Sequence, residues 1–258
     1  MAPEIEIWDL DVINPVEPVS KLGFHSEKKK HAHRNSGHRD AVLDLSWNPG
    51  FPHIMASGSV DKTAILWDLE THKDSTVIKN FAGNVESVAW HSQEGQTLLT
   101  ASADSSVKVF DCRYEETFKS WSVEGEALIA KWDPCRPFLT TVGTSTGRLY
   151  GFDIRSADPL WSTEEHGKDV SGLAMAPTVQ GLLISAHVDG IVKVWDVRST
   201  TPTLVFTKEA SIGQIHAFDL NPDAPYIGCV GGTKKSKNFK LMDFSKIKEI
   251  VEHFSTSA

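Results

Sequence analysis

Cysteine is scarce in this chain: Cys112, Cys135 and Cys229 are its three, far apart and in no C-x-x-C arrangement. Such a set gives no basis for a disulfide framework or a structural zinc site and points to a reducing compartment. Basic residues are outnumbered, 26 Lys and Arg against 34 Asp and Glu, for a net charge of −8. That balance excludes a nucleic-acid-binding face over the whole surface, so any phosphate contact must be local. No apolar run approaches the ~18 residues of a membrane span. The start, Met1-Ala2-Pro3-Glu4-Ile5-Glu6, lacks the basic head and apolar stretch of a secretory signal. A cytosolic or nuclear protein with no membrane partner is the expectation.

What is present is periodicity. The 258 residues, 40% hydrophobic and 23% charged, have the make-up of an ordinary globular protein. A bulky residue followed by Asp recurs as Trp8-Asp9, Trp67-Asp68, Phe110-Asp111, Phe152-Asp153, Trp195-Asp196 and Met242-Asp243, spaced by 59, 43, 42, 43 and 47. Trp47, Trp90, Trp132 and Met175 each stand 20 residues before one of these pairs, and Leu220 stands 22 before the last. Between the markers, short runs alternate apolar and polar and end in Gly, Asn, Asp, Ser or Pro, the signature of strands. Each unit reads as four, in the first case residues 41–47, 53–60, 63–69 and 74–81. The second turns into the third at Val60-Asp61-Lys62, Ala103-Asp104-Ser105, Ser145-Thr146-Gly147 and Val188-Asp189-Gly190, six residues before the marker to the Asp or Thr.

A period of 42 or 43 with four strands, Gly37-His38 at the head and Trp-Asp at the end resembles WD40 repeats, which implies an all-β propeller. The resemblance implies a buried hydrogen-bonded network of His38, Asp61 and Trp67, with Asp104, Asp189 and Trp195 in the equivalent places of other units. Asn84 for the His, Thr146 for the Asp, and Ser236 with Met242 put the network in doubt in the second, third and last units.

Three segments are more particular: residues 3–11, residues 38–48 and Phe110-Asp111-Cys112-Arg113. With the lysine-rich insertion between the first two, they resemble the periodic tryptophan proteins of the Pwp type. That resemblance implies a non-enzymatic nucleolar scaffold of large-subunit ribosome biogenesis, its partners pre-ribosomal or chromatin assemblies and, locally, rRNA. Nucleus and nucleolus are the implied location. No cofactor, metal or small-molecule substrate is expected, since no Walker loop, no G-x-G-x-x-G after a strand and no nucleophile motif in context is present.

The long first period places an insertion at about residues 21–36. Its Lys28, Lys29, Lys30 and Arg34 are the candidate RNA or partner contacts; the plainer reading is a solvated loop that doubles as a nuclear-import patch. Lys234, Lys235 and Lys237 form a second cluster, equally readable as a charged edge that discourages aggregation. Arg113, Arg155 and Arg198 close an aromatic-Asp-x-Arg pattern resembling the box by which some WD40 proteins dock on a cullin ubiquitin-ligase adaptor. A substrate receptor is thus the alternative function, against the plain alternative that each Arg pairs with a neighbouring blade's carboxylate. Gly143-Thr144-Ser145-Thr146-Gly147 fits a nucleophile elbow but lies in the register of the hairpin turns. His25, His31, His33 and His38 have no acidic or Cys partner at a zinc spacing.

The expected organisation is one domain over 1–258: a partial first blade at 1–24, the basic insertion, and repeats at about 37–82, 83–124, 125–166, 167–210 and 211–258. Residues 4–10 and 17–24 match the third and fourth strands of a unit, so about five and a half blades of a truncated seven-bladed ring are expected. No helix longer than about two turns is expected outside residues 244–254. Without the inner strands of the half blade, an open arc or strained seam prone to self-association is expected.

Overall fold

Successive side chains of a strand point to opposite faces of its sheet, and residues 182–187, buried at every position, show a strand packed on both faces by neighbouring sheets. A computed structural model describes residues 3–9, 11, 17–23, 37–114, 116–163, 167–235 and 238–255. Strands β1 (Ile5–Ile7) and β2 (Ser20–Leu22) form an antiparallel pair. Four antiparallel meanders follow in chain order. They are β3 (Val42–Trp47), β4 (Ile54–Ser59), β5 (Ala64–Asp68), β6 (Lys73–Ile78); β7 (Val85–Trp90), β8 (Thr97–Ser102), β9 (Ser106–Asp111), β10 (Glu116–Ser122); β11 (Ala127–Trp132), β12 (Leu139–Thr144), β13 (Leu149–Asp153), β14 (Pro159–Ser162); and β15 (Val170–Met175), β16 (Leu182–His187), β17 (Ile191–Asp196), β18 (Thr203–Glu209). A fifth sheet has three strands, β19 (Ile215–Leu220), β20 (Ile227–Gly232) and β21 (Phe239–Asp243). The described residues therefore form an all-β propeller arrangement of five blades with a two-stranded piece before them.

The first strands β3, β7, β11, β15 and β19 lie side by side and line the inner channel. Blades are cemented by apolar clusters that cross them, for example Ala56 and Leu66 of the first with Val88, Leu98 and Phe110 of the second. Polar clamps add to this: Asn48 Nδ2 donates to the Gly95 carbonyl at 2.6 Å, His91 Nε2 to Pro137 at 2.8 Å, and Arg136 Nη1 to Val197 at 3.2 Å. Each reaches from the turn after a first strand to a carbonyl of a later repeat.

The four-strand reading fails in the last unit. Its outer strand is replaced by α1 (Lys248–Ser255), in the segment where helix was allowed. The physical reason is spacing: Ile247, Ile250 and Phe254 recur at three and four residues, and Ile250 and Phe254 are buried, with Glu249 in the first turn and His253 in the last. Among the described residues no pairing joins β2 to β21, which leaves the ends open. Leu45 and Trp47 on β3 are 47% and 59% exposed, whereas Val88 and Trp90 at the same places of β7 are buried. At the other end Phe239 and Leu241 on β21 stand out into solvent.

Candidate functional site

The first blade holds a chain of buried polar groups in which every donor has an acceptor. The Asp61 carboxylate can only accept, so His38 Nδ1 donates to Asp61 Oδ2 at 3.0 Å and Nε2 is left to accept from the Ser57 hydroxyl at 2.6 Å. Ser57 Oγ in turn accepts the Trp67 indole N–H at 2.8 Å. Burial lowers the His38 pKa below its ordinary value, against the pull of Asp61. Burial alone would raise the Asp61 carboxyl, but the Thr63 hydroxyl, the Arg39 amide and His38 hold it below the usual range.

The fourth blade builds an analogue from other residues. Trp195 Nε1 donates to Ser185 Oγ at 3.0 Å, Ser185 bonds His187 Nε2 at 3.0 Å, and His187 Nδ1 donates to the Lys168 carbonyl at 3.1 Å. The histidine comes from the second strand rather than from the loop ahead of the first, and a backbone carbonyl replaces the carboxylate. Asp189 is not in this chain; it accepts the Ile191 amide and closes the hairpin. Asp104 likewise closes the turn of the second blade, taking the amides of Ala82 and Ser106 at 2.8 and 2.9 Å. Burial would raise its pKa, yet the bonds from Ser106 and Ala82 bring it down to about 2.

Ser57, Ser185 and His187 were missed by motif reading, although a signal existed. The residue ten before the marker is Ser in the two Trp blades and Thr100 and Val142 in the blades marked by Phe110 and Phe152; in the last blade, where the spacing is two residues longer, Val230 holds the same place on the second strand. An indole N–H buried without an acceptor costs about 1–3 kcal/mol, whereas a phenyl or thioether asks for none.

The three aromatic-Asp-x-Arg boxes have one geometry. Arg113, Arg155 and Arg198 each turn back on Asp111, Asp153 and Asp196 of their own blade, with closest N···O distances of 2.5, 2.6 and 2.6 Å. The partner is thus the Asp two residues earlier, not a neighbouring blade's carboxylate, because the Arg amide already caps that Asp and brings the side chain back over it. Arg113 and Arg155 are 58% and 65% exposed, Arg198 only 25%. Asp196 is pushed up by burial but brought down to about 2 by Arg198 and His253.

Lys28, Lys29, Lys30 and Arg34 lie outside the described residues, as do His25, His31, His33 and Lys237. Lys234 and Lys235 follow β20, on the way to β21. Ser145 is a turn residue whose Oγ accepts the Glu126 amide, and Gly147 takes a φ of +79° there. Among the described residues no group of three or more His, Cys, Asp or Glu could hold a metal ion. Burial raises the Cys112 thiol to about 12, with Asp111 adding to it, so it is no nucleophile at neutral pH. On the channel wall, Glu86 is raised chiefly by burial and further by Glu126, while Asn84 opposes.

Comparison with known proteins agrees with this geometry. The family described as WD domain, G-beta repeat, matches residues 29–68, 75–111 and 157–196. The periodic tryptophan protein 1 homolog of Drosophila melanogaster is 39% identical over 91% of this chain and 52% of its own length. Periodic tryptophan protein 1 of Saccharomyces cerevisiae is 28% identical over 98% of this chain and 49% of its own. The chain thus spans about half the length of these relatives. A chain in a crystal structure of the mitotic checkpoint complex superposes with a TM-score of 0.79 at 19% identity, covering 93% of this chain and 68% of that one, a likeness of fold alone. Repeat spacing, blade topology and these matches together place the chain in the WD40-repeat family, as a protein resembling periodic tryptophan protein 1.

Proposed function

We propose that this chain is a non-enzymatic scaffold of the nucleus and nucleolus, its residues 1–258 one propeller unit that presents blade loops to proteins, and locally to rRNA, in large-subunit ribosome maturation. The likeness to periodic tryptophan protein 1 over 91% of the chain carries this reading. The chemistry of the described residues supports the non-catalytic part. Asp104 and Asp196, with the most displaced carboxyl pKa values, are engaged in a turn and an ion pair, and the buried histidines His38 and His187 have both ring nitrogens committed. Affinity purification from nuclear extract tests it: recovery of large-subunit precursor particles is expected, and their absence overturns the reading.

The exposure of Arg113 and Arg155 favours a second reading, docking on a cullin-ligase adaptor. Recovery of that adaptor, lost on Arg155→Ala and Arg198→Ala substitution, would select it. For Lys28, Lys29, Lys30 and Arg34 the test is salt. Neutralising all four should flatten the slope of RNA affinity against log salt by roughly the number of phosphate contacts removed, and an unchanged slope removes the loop from the proposal.

A further inference from the structure

The repeat places the same positions at every junction between blades. One blade supplies the Asp-x-Arg pair and a bulged residue of its outer strand; the next supplies the residue just before its second strand and the one just after its third. At the junction of the fourth and fifth blades these are Asp196 and Arg198, Val205, Tyr226 and Phe244. Helix α1 lies over them. His253 Nε2 donates to Asp196 Oδ2 at 2.8 Å, and the Arg198 guanidinium carbon lies 5.2 Å from the Phe254 ring centre. Ile250 and Phe254 share one apolar cluster with Val205, Tyr226 and Phe244.

The junction of the second and third blades offers the same arrangement uncovered. Asp111, Arg113, Phe118, Phe138 and Ile154 stand at the corresponding positions and line a hollow of about 310 Å³. Phe118 and Phe138 are 64% and 44% exposed, and the Arg155 guanidinium carbon lies 4.6 Å from the Phe138 ring centre. The other two junctions lack the set: Glu70 and Gln96 replace the Arg and the aromatic at one, and Gly181 replaces the aromatic at the other.

From this internal symmetry we infer that the hollow is a docking groove for an amphipathic helix of a partner protein. That helix carries two large apolar side chains four residues apart and a hydrogen-bond donor beside the second, as Ile250, His253 and Phe254 do in α1. The apolar pair fills the space between Phe118, Phe138 and Ile154, with the second ring against the guanidinium. The donor reaches Asp111, which, like Asp196, still has a lone pair to offer after accepting its own arginine. The inference rests on the reading of the chain as a protein-binding scaffold and names the chemistry of one partner.

The test uses the full chain and a fluorescein-labelled, side-chain-stapled helical peptide of the α1 sequence, residues 246–255, read by fluorescence anisotropy. Saturable binding is expected, weakened about tenfold or more by Phe118→Ser or Phe138→Ser and unchanged by Arg198→Ala. Phe118 is largely exposed, so the melting temperature of Phe118→Ser should match the parent. No saturable binding, or binding indifferent to Phe118→Ser and Phe138→Ser, overturns the inference. Loss on Arg198→Ala alone means that the peptide merely displaces α1, and also overturns it. Failure to recover ribosomal precursors, with peptide binding intact, would refute the proposed pathway and support the groove.

Discussion

The indole N–H of Trp67 and the hydroxyl of Ser57, ten residues apart in sequence, face each other across β4 and β5 at 2.8 Å, and both are fully buried. Ser57→Ala therefore strands a donor on Trp67 and an acceptor on His38 at once. A loss of about 1–3 kcal/mol is expected in urea unfolding. Adding Trp67→Phe to Ser57→Ala should restore part of the donor deficit, so the double variant should lose less than the two single losses added; strict additivity would disprove the coupling.

Acid should destabilise the chain through identifiable groups. The folded-state pKa values of Asp104 and Asp196 lie at about 2, below the unfolded value of 3.8, so the folded state binds fewer protons. Their contribution is complete above the unfolded value and is lost as pH falls through the folded one. His38 is also lowered, from 6.5, so its contribution is complete above that value and declines at an earlier stage of acidification. Denaturation midpoints at pH 7, 5 and 3 should fall in that order, and Asp196→Asn should flatten the last step.

Phe254 is 6% exposed at the end of α1 and joins the helix to the fourth blade. Phe254→Ala is expected to cost about 3 kcal/mol. Amide exchange should quicken in α1 and β18 while β7 to β10 keep their protection. Uniform acceleration across all blades would instead mean that the blades unfold as one unit.

The open ends should make the chain associate with itself. Leu45 and Trp47 at one end, and Phe239 and Leu241 beside the unpaired edge of β21 at the other, are apolar and exposed. Light scattering behind size exclusion should show oligomers at tens of micromolar, reduced by Trp47→Ser with Leu241→Ser; a monodisperse parent monomer would end this prediction.

Much of the fold was legible from local chemistry alone. The spacing of Trp67, Phe110, Phe152 and Trp195, the Asp or Thr six residues earlier and the alternating runs between them are properties of single hairpins, and a hairpin is specified by its turn residues and its period of two. The helical spacing of Ile247, Ile250 and Phe254 was visible too, but not the choice between helix and fourth strand. Packing decided that, because Phe254 on Arg198 and His253 on Asp196 are contacts over more than fifty residues that a helix can make against the fourth blade. The same holds for the site. The motif named His38, Asp61 and Trp67, whereas His187 in the place of a loop histidine, and the hollow between Phe118 and Phe138, depend on which side chains meet across strands and blades. Local sequence sets a strand's faces; what each face meets is decided only when the sheets are stacked.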